Sequence, residues 1–341
     1  MPTTLEDIAR ALNVSKMTVS RAINNHPEIS RDTRARILAV AQKMNYRPNQ
    51  FARALTTNRS FLVGIVVPDL MHSYFSEICR GVESHARSAG YQNLICSTDE
   101  EPQKEMAEIE ALLSRTDGLI VASALSEKEI KFYRQLLRDG ARIVLIDRLL
   151  EGLKCSAVIT DDVQVGVLAT KHLIQLGHQK IGHLRGTNAS TSLKRFQGYQ
   201  QALADAGLRS PASIVRDCGF TEGDGYSAMK LWIQEGNIPP AVFAANDPAA
   251  IGAMSALYDS GIRVPDDVAI VGAGSIHYGD MLRVPLTTVG WSTIEMGQAA
   301  AKLLLESIDG KNNVKNRKVV VKPELVIRES CGARRSGHIN A

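Results

Sequence analysis

The chain has 341 residues, 44% hydrophobic and 22% charged, with a formal net charge of +4; this is ordinary globular composition, enough for two or three domains, and it argues against disordered, collagenous and coiled-coil classes. The longest apolar run, Phe61 to Pro68, falls far short of the roughly 20 residues that cross a bilayer, and Glu6 and Asp7 stand where a secretory leader is apolar, so a soluble cytoplasmic protein with no membrane partner is expected. The five cysteines (Cys79, Cys96, Cys155, Cys218, Cys331) are scattered and form no Cys-x-x-Cys pair, which points to reduced thiols rather than a disulfide framework or a zinc site.

Charge is unevenly placed. The first 60 residues hold ten Lys or Arg against four Asp or Glu, and the remainder is close to neutral. A basic head on a neutral body suits a polyanionic partner, with a solvated charged face as the alternative. Thr4 followed by Asp7 resembles a capping box, and Leu5, Ile8, Ala9 and Leu12 recur at helical spacing, so a first helix is expected over 5–12. Asn13 and Val14 leave room only for a tight turn. Ser15 then caps a second helix with Val19, Ala22 and Ile23 inward, and Ser30 caps a third, marked by Ile37, Val40, Ala41 and Met44 and ending near Asn45. Helices joined by so short a turn can set the second across the major groove, presenting Lys16, Met17, Ser20 and Arg21.

The runs LEDIARALNVSKMTVSRAIN from Leu5, SRDTRARI from Ser30 and MNYRPN from Met44 resemble the head of the lac repressor (LacI/GalR) family of bacterial transcription regulators, over about 60 positions. The resemblance implies that Lys16 and Met17 read base edges, that Thr18 and Ser20 contact phosphates, and that Arg21 supports recognition. It also implies DNA-binding positions at Thr4, Leu5, Ser15, Asn24 and Asn49. The chemistry agrees: Lys donates to guanine O6 and N7, Met offers apolar contact to a thymine methyl, and hydroxyls satisfy phosphate oxygens.

Asn49 can cap a short segment, Gln50 to Thr57, which is too short to be a stable isolated helix. On composition it is either a linker that folds on a partner or one that stays unfolded. The resemblance implies the former: a hinge that turns helical on operator DNA, pairs with its counterpart from a second subunit in the minor groove, and wedges Leu55 into a base step, with Ala52 and Arg53 beside it.

From Phe61 onward, short β-branched runs alternate with helical stretches. Leu62 to Val67, Asn93 to Cys96, Gly118 to Ala122, Arg142 to Ile146 and Ala157 to Thr160 read as buried strands of a parallel sheet. A second series follows, with helices Val165 to Leu176, Lys194 to Ala206 and Pro248 to Ser260, and strands Lys180 to Leu184, Ala241 to Ala245 and Val268 to Val271. Helix Ile294 to Ile308 and strand Lys318 to Ile327 could return the chain to complete both sheets. Two such units imply two lobes, with ligands bound in the cleft beyond the carboxyl ends of the strands.

The body resembles the same family at Phe61 to Phe75, Asp147-Arg148, Leu176 to His178, Arg195 to Tyr199, Ala244 to Asp247, Gly261 to Val271 and Pro285 to Thr288. The expected fold is therefore an α/β two-lobed core like that of periplasmic sugar-binding proteins, two parallel doubly wound sheets behind an N-terminal all-α helix-turn-helix domain. The expected boundaries are 1–47 for the DNA-binding domain, 48–60 for the hinge, 61–330 for the core and 331–341 for a flexible tail. Within the core, one lobe takes about 61–161 and 292–322 and the other about 162–291 and 323–330.

The resemblance implies an effector pocket at Phe75, Asp147, Thr191, Arg195, Phe220 and Asn246. Arg, Asp and Asn supply hydrogen-bond forks for sugar hydroxyls, and Phe an apolar face. Each has a plainer alternative: Arg195 a surface charge, Phe75 or Phe220 core, and Asp247 nearby the cap of its helix, the role favoured for it. Where the family usually has an acid, this chain has Gly274. Its absence leaves Arg195 less compensated and favours a sugar acid or another carboxylated ligand over a plain sugar.

Enzyme readings are weak. Gly272-x-Gly274 lacks the third glycine of a dinucleotide fingerprint, His277 standing in its place, and His172, His178 and His183 do not have metal-site spacing and read as helix-end and loop histidines. No nucleophile motif appears. The expected function is sequence-specific transcriptional control, with repression as the default. A homodimer would bind a pseudo-palindromic operator under the control of a small-molecule effector, a carbohydrate or sugar acid, with no catalytic cofactor or metal. A sugar-binding protein or an α/β enzyme is the alternative. The absence of a leucine-heptad tail favours a dimer over a tetramer.

Overall fold

Most helix starts among the described residues are marked by a capping side chain. In the computed structural model, which describes residues 3–24, 26–46, 54, 57–187, 189–209, 211–310 and 316–333, the chain divides into two units, Met1–Ser60 and Phe61–Ala341.

In the first unit Thr4 and Asp7 form a reciprocal capping box on α1 (Leu5–Leu12). Ser15 accepts a hydrogen bond from the Thr18 amide at the start of α2 (Lys16–Ile23), and Ser30 does the same from Thr33 for α3 (Arg31–Lys43). Asn13 takes a left-handed conformation and turns the chain between α1 and α2 within three residues. Ile8, Ala9, Val19, Ala22, Ile37 and Ala41 meet in a small core.

The second unit holds two six-stranded sheets. The first runs in the order β11-β5-β4-β3-β1-β2, from β1 (Leu62–Val67), β2 (Gln92–Ser97), β3 (Gly118–Val121), β4 (Ile143–Ile146), β5 (Ser156–Thr160) and β11 (Lys318–Val321). The second runs β12-β10-β9-β8-β6-β7, from β6 (Ile181–Arg185), β7 (Val215–Asp217), β8 (Ala241–Ala244), β9 (Ala269–Ala273), β10 (Thr287–Gly290) and β12 (Glu324–Val326). The inner strands β3, β4, β8, β9 and β10 are buried at every position, as expected of parallel strands covered by helices on both faces.

The helices are α4 (Ser73–Ser88), α5 (Pro102–Leu113), α6 (Ile130–Arg138), α7 (Asp162–Gln175), α8 (Ser190–Asp205), α9 (Glu222–Gln234), α10 (Asp247–Asp259) and α11 (Thr293–Ile308). Helix α11 follows β10 of the second sheet but packs on α4 and on β3, β4 and β5 of the first. The chain therefore crosses between lobes three times, after β5, after β10 and after β11.

Three features depart from the sequence reading. The strand expected over 318–327 is two strands in different sheets, and β12 pairs antiparallel with β10 although its sheet is otherwise parallel. The short strand β7 and helix α9 had no counterpart in the periodicity. The tail expected from 331 does not begin there, because Cys331 and Ala333 are buried in the body's core; residues 334–341 lie outside the described residues.

Candidate functional site

In the first unit, Val19 and Ala22 hold one face of α2 in the core. Lys16, Met17 and Arg21 are exposed, and Ser20 is half-buried beside them. Met17 is 63% exposed and lies on the same exposed surface of the helix. Lys16 Nζ lies 3.5 Å from Glu6 of α1, and Arg21 Nη1 lies 2.7 Å from Glu28; both pairs are solvated and exchangeable. Thr18 hydrogen-bonds Ser15, and Asn24 Nδ2 donates to the Ser20 carbonyl at the far end of the helix. Thr4 is exposed at the amino end of α1, whereas Leu5 packs against the core, which leaves its backbone rather than its side chain for a partner. The expected positions Asn49, Ala52, Arg53 and Leu55 lie outside the described residues.

In the second unit, eight strands, β1 and β2 among them, end around one cavity of about 310 Å³ between the lobes. Asp147 follows β4, Thr187 follows β6, Phe220 follows β7, Asn246 follows β8, Gly274 follows β9 and Trp291 follows β10. This is where open parallel sheets bind ligands, because the loops there converge while the strands hold them rigid. Phe75 from α4 and Thr191 and Arg195 from α8 complete the expected set, all seven lining the same cavity.

The wall is tightly bonded. Asp147, held at φ +66°, accepts a 2.6 Å hydrogen bond from Tyr74 Oη at its Oδ1. Trp291 Nε1 donates to the same Tyr74 oxygen at 3.2 Å. Burial and the neighbouring carboxylate push the Tyr74 hydroxyl far above its usual range, so it stays a donor. Arg195 Nε donates to Asp162 at 2.9 Å and Nη1 to the Ala245 carbonyl at 2.6 Å, with the guanidinium 5.2 Å from the Trp291 ring centre. Arg148 forks onto Glu100 with two 2.7 Å bonds and lies 5.1 Å from the Phe220 ring centre across the cleft. Burial lowers the His72 pKa, which keeps that imidazole neutral near pH 7.

Four expectations change. Arg195 is not left without an acid by Gly274, because Asp162 meets its charge, and it is buried rather than a surface residue. The cap of α10 is Asn246, whose Oδ1 accepts from the Ala249 amide and whose Nδ2 donates to the Phe220 carbonyl. Asp247 is instead fully buried, accepting from the Ile276 amide and the Thr288 hydroxyl, and it ties the loop after β9 to β10. The histidines are not all at helix ends or in loops: His183 lies inside β6, stacked on Phe196, Tyr199 and Phe243, and His172 is buried against Cys331. Gly274 itself sits at φ +125°, a backbone conformation that an acid at this position would rarely adopt.

Sequence reasoning missed Asp69, His72, Tyr74, Glu100, Arg148, Asp224 and Trp291, among others, as cavity residues. Tyr74 and Arg148 adjoin expected residues, so adjacency to Phe75 and Asp147 was the available signal; Glu100, Asp224 and Trp291 carried none. Among the described residues no group of three or more His, Cys, Asp or Glu could hold a metal ion, and no helix is long and apolar enough to cross a membrane.

Residues 4–49 match the family described as bacterial regulatory proteins, lacI family, and residues 170–331 match a periplasmic binding protein-like domain. The chain is 36% identical to the HTH-type transcriptional regulator DegA of Bacillus subtilis (strain 168) over 334 residues, 97% of this chain and 98% of that protein. It is 34% identical to the HTH-type transcriptional repressor PurR of Haemophilus influenzae (strain PittEE), over 96% of this chain and 98% of the relative. The solved lac repressor dimer bound to operator and the anti-inducer ONPF superposes with a TM-score of 0.86 at 27% identity, over 97% of this chain and 99% of that one.

Proposed function

The chain belongs to the lacI family of bacterial regulatory proteins and is a DNA-binding transcriptional regulator rather than an enzyme, and from that premise we propose that it is a repressor that binds a pseudo-palindromic operator as a homodimer, under the control of a carbohydrate. The observation that carries the reading is the pairing, in one chain, of an exposed Lys16-Met17 recognition surface with a cavity walled by both lobes. Lys16 and Met17 read base edges, Thr18 and Ser20 take phosphates, and Thr4, Leu5, Ser15, Arg21 and Asn24 support the docking. Residues 48–60 form the hinge, with Asn49, Ala52 and Arg53 flanking the Leu55 wedge. Such a protein works in the cytoplasm, on the nucleoid.

The dimer reading is supported by the likeness to the lac repressor, solved as a dimer bound to operator. The effector reading is supported by the cavity's hydrogen-bonding groups and aromatic walls at Phe75, Phe220 and Trp291. With Arg195 already paired to Asp162, the reason for preferring a sugar acid disappears, and a sugar is the better reading.

Selection from random duplex DNA at fixed moderate salt tests this. A pseudo-palindrome with a deformable central step is expected, with affinity falling steeply as salt rises. Lys16→Ala should relax the preference at one position per half-site and cost about 1 to 3 kcal/mol per specific contact. Failure to enrich any sequence, with and without a metabolite extract, would overturn the operator reading.

A further inference from the structure

The cavity walls carry more acid than base, and both of their cations already face carboxylates of the protein. Asp69, Glu100, Asp147 and Asp224 line the cavity against two guanidinium groups, Arg148 and Arg195. Arg148 is held by both oxygens of Glu100, and Arg195 by Asp162. Among the described residues no Lys or Arg pairs with Asp69 or Asp224. Asp147 is 7% exposed. Its Oδ1 takes the Tyr74 hydroxyl, while its Oδ2 forms an ion pair with Arg148 Nε at 3.8 Å, too long for a hydrogen bond, so that this N–H also has no acceptor among the described residues. His72 is neutral near pH 7 and adds no positive charge.

A buried carboxylate oxygen without a donor is costly once a ligand displaces the water around it. A neutral hydroxyl can meet the oxygen but not the excess of carboxylates around it, and an anionic ligand would add to the repulsion. An ammonium group meets both, through a charge-assisted hydrogen bond of the stronger kind. Arg195 Nε and Nη1 are occupied, and its Nη2 has no acceptor among the described residues. That leaves the Nη2 amino group to donate to a hydroxyl or ring oxygen of the same ligand.

We propose that the effector is an aminated polyhydroxylated metabolite of the amino-sugar class, its ammonium on Asp147 Oδ2 in the field of Asp69 and Asp224 and a hydroxyl on Arg195. The proposal rests on the reading of this cavity as the carbohydrate site, and it reverses the sign of charge that the loss of an acid at Gly274 alone suggests.

Calorimetric titration of the full chain with glucosamine, glucose and glucuronate, at a pH where the amine is protonated, compares the three charges on nearly one skeleton. Glucosamine should bind at least tenfold more tightly than glucose, and glucuronate should give no heat. Asp147→Asn, which keeps an acceptor for Tyr74, should shrink the amine preference to less than threefold. If glucose or glucuronate binds as tightly as glucosamine, or if Asp147→Asn leaves the preference intact, the amine proposal falls and the carbohydrate reading stands. If none of the three binds, both fall.

Discussion

A guanidinium and a carboxylate buried together are a liability to each other when either is removed. Arg195 and Asp162 are both about nine-tenths buried or more, and burial raises the Asp162 carboxyl above its usual range even with Arg195 beside it. Arg195→Ala should therefore lose more than ligand recognition. It strands Asp162 and is expected to cost about 3 to 5 kcal/mol in a urea titration. The pair Arg195→Met with Asp162→Asn removes both charges and should recover most of that stability while still failing to respond to effector. A double variant that remained as unstable as Arg195→Ala would mean the loss is packing rather than stranded charge.

His183 gives the second residue-scale prediction. Burial holds its pKa down at about 4 against an ordinary 6.5, while Nδ1 bonds the Phe243 carbonyl. The unfolded chain thus binds a proton near pH 6.5 that the folded chain refuses until about pH 4. Stability from this group is complete above pH 6.5 and falls as pH drops through that window, by at most about 3 kcal/mol. Urea midpoints measured between pH 7 and pH 4.5 should fall less steeply in His183→Phe than in the parent chain; equal slopes would exclude His183 as the source.

At the scale of elements, the position of Arg195 is set by how closely α7 and α8 approach. A Cβ on Gly166 of α7 would lie 2.1 Å from the Arg195 carbonyl oxygen, and one on Gly198 of α8 would lie 2.0 Å from that of Val163. The two glycines let the helix backbones touch, which brings Asp162 and Arg195 within one hydrogen bond. Gly166→Ala should force the helices apart, destabilise the fold by about 1 to 3 kcal/mol, and weaken effector binding beyond what the stability loss explains. Thermal melts and a ligand titration on the same sample separate the two effects.

The same scale explains what could be read from residues alone. The head was legible because Thr4, Ser15 and Ser30 announce their helices within three residues, and the strands because β-branched runs such as Leu62 to Val67 are buried on both faces. Strand β7 has three residues and too little pattern to stand out. Strand β12 reads as a continuation of β11 on residue pattern alone, although the lobe boundary expected at 322/323 falls where Lys322 and Pro323 cross to the other sheet. Glu100, Arg148 and Trp291 reach the cavity from loops whose direction the sheets decide. Asn246 and Asp247 show the limit of local rules, because both can cap a helix and only the fold decides which does.

For the whole molecule, the three crossings are the only covalent paths between the lobes among the described residues. An effector seated between the lobes alters the operator-binding state only as far as its affinity differs between lobe arrangements, and a shift from mostly bound to mostly free needs on the order of 5 kcal/mol of difference. Because β11 and β12 close an edge of each sheet, removing residues 318–341 should abolish cooperative urea unfolding of the entire second unit rather than of one lobe. A surviving sharp transition would mean that one lobe is stable without its edge strand.

The triple crossing also orders events in time. The described helices of the head are all synthesised by Lys43, but the first sheet lacks its last strand until Val321 and the second until Val326. At about 5 to 20 residues per second, the ~280 residues between those points take roughly 15 to 60 s to make. For that interval the growing chain carries a finished head ahead of an unfinished sensor, and the first surface it can fold is the one that meets DNA.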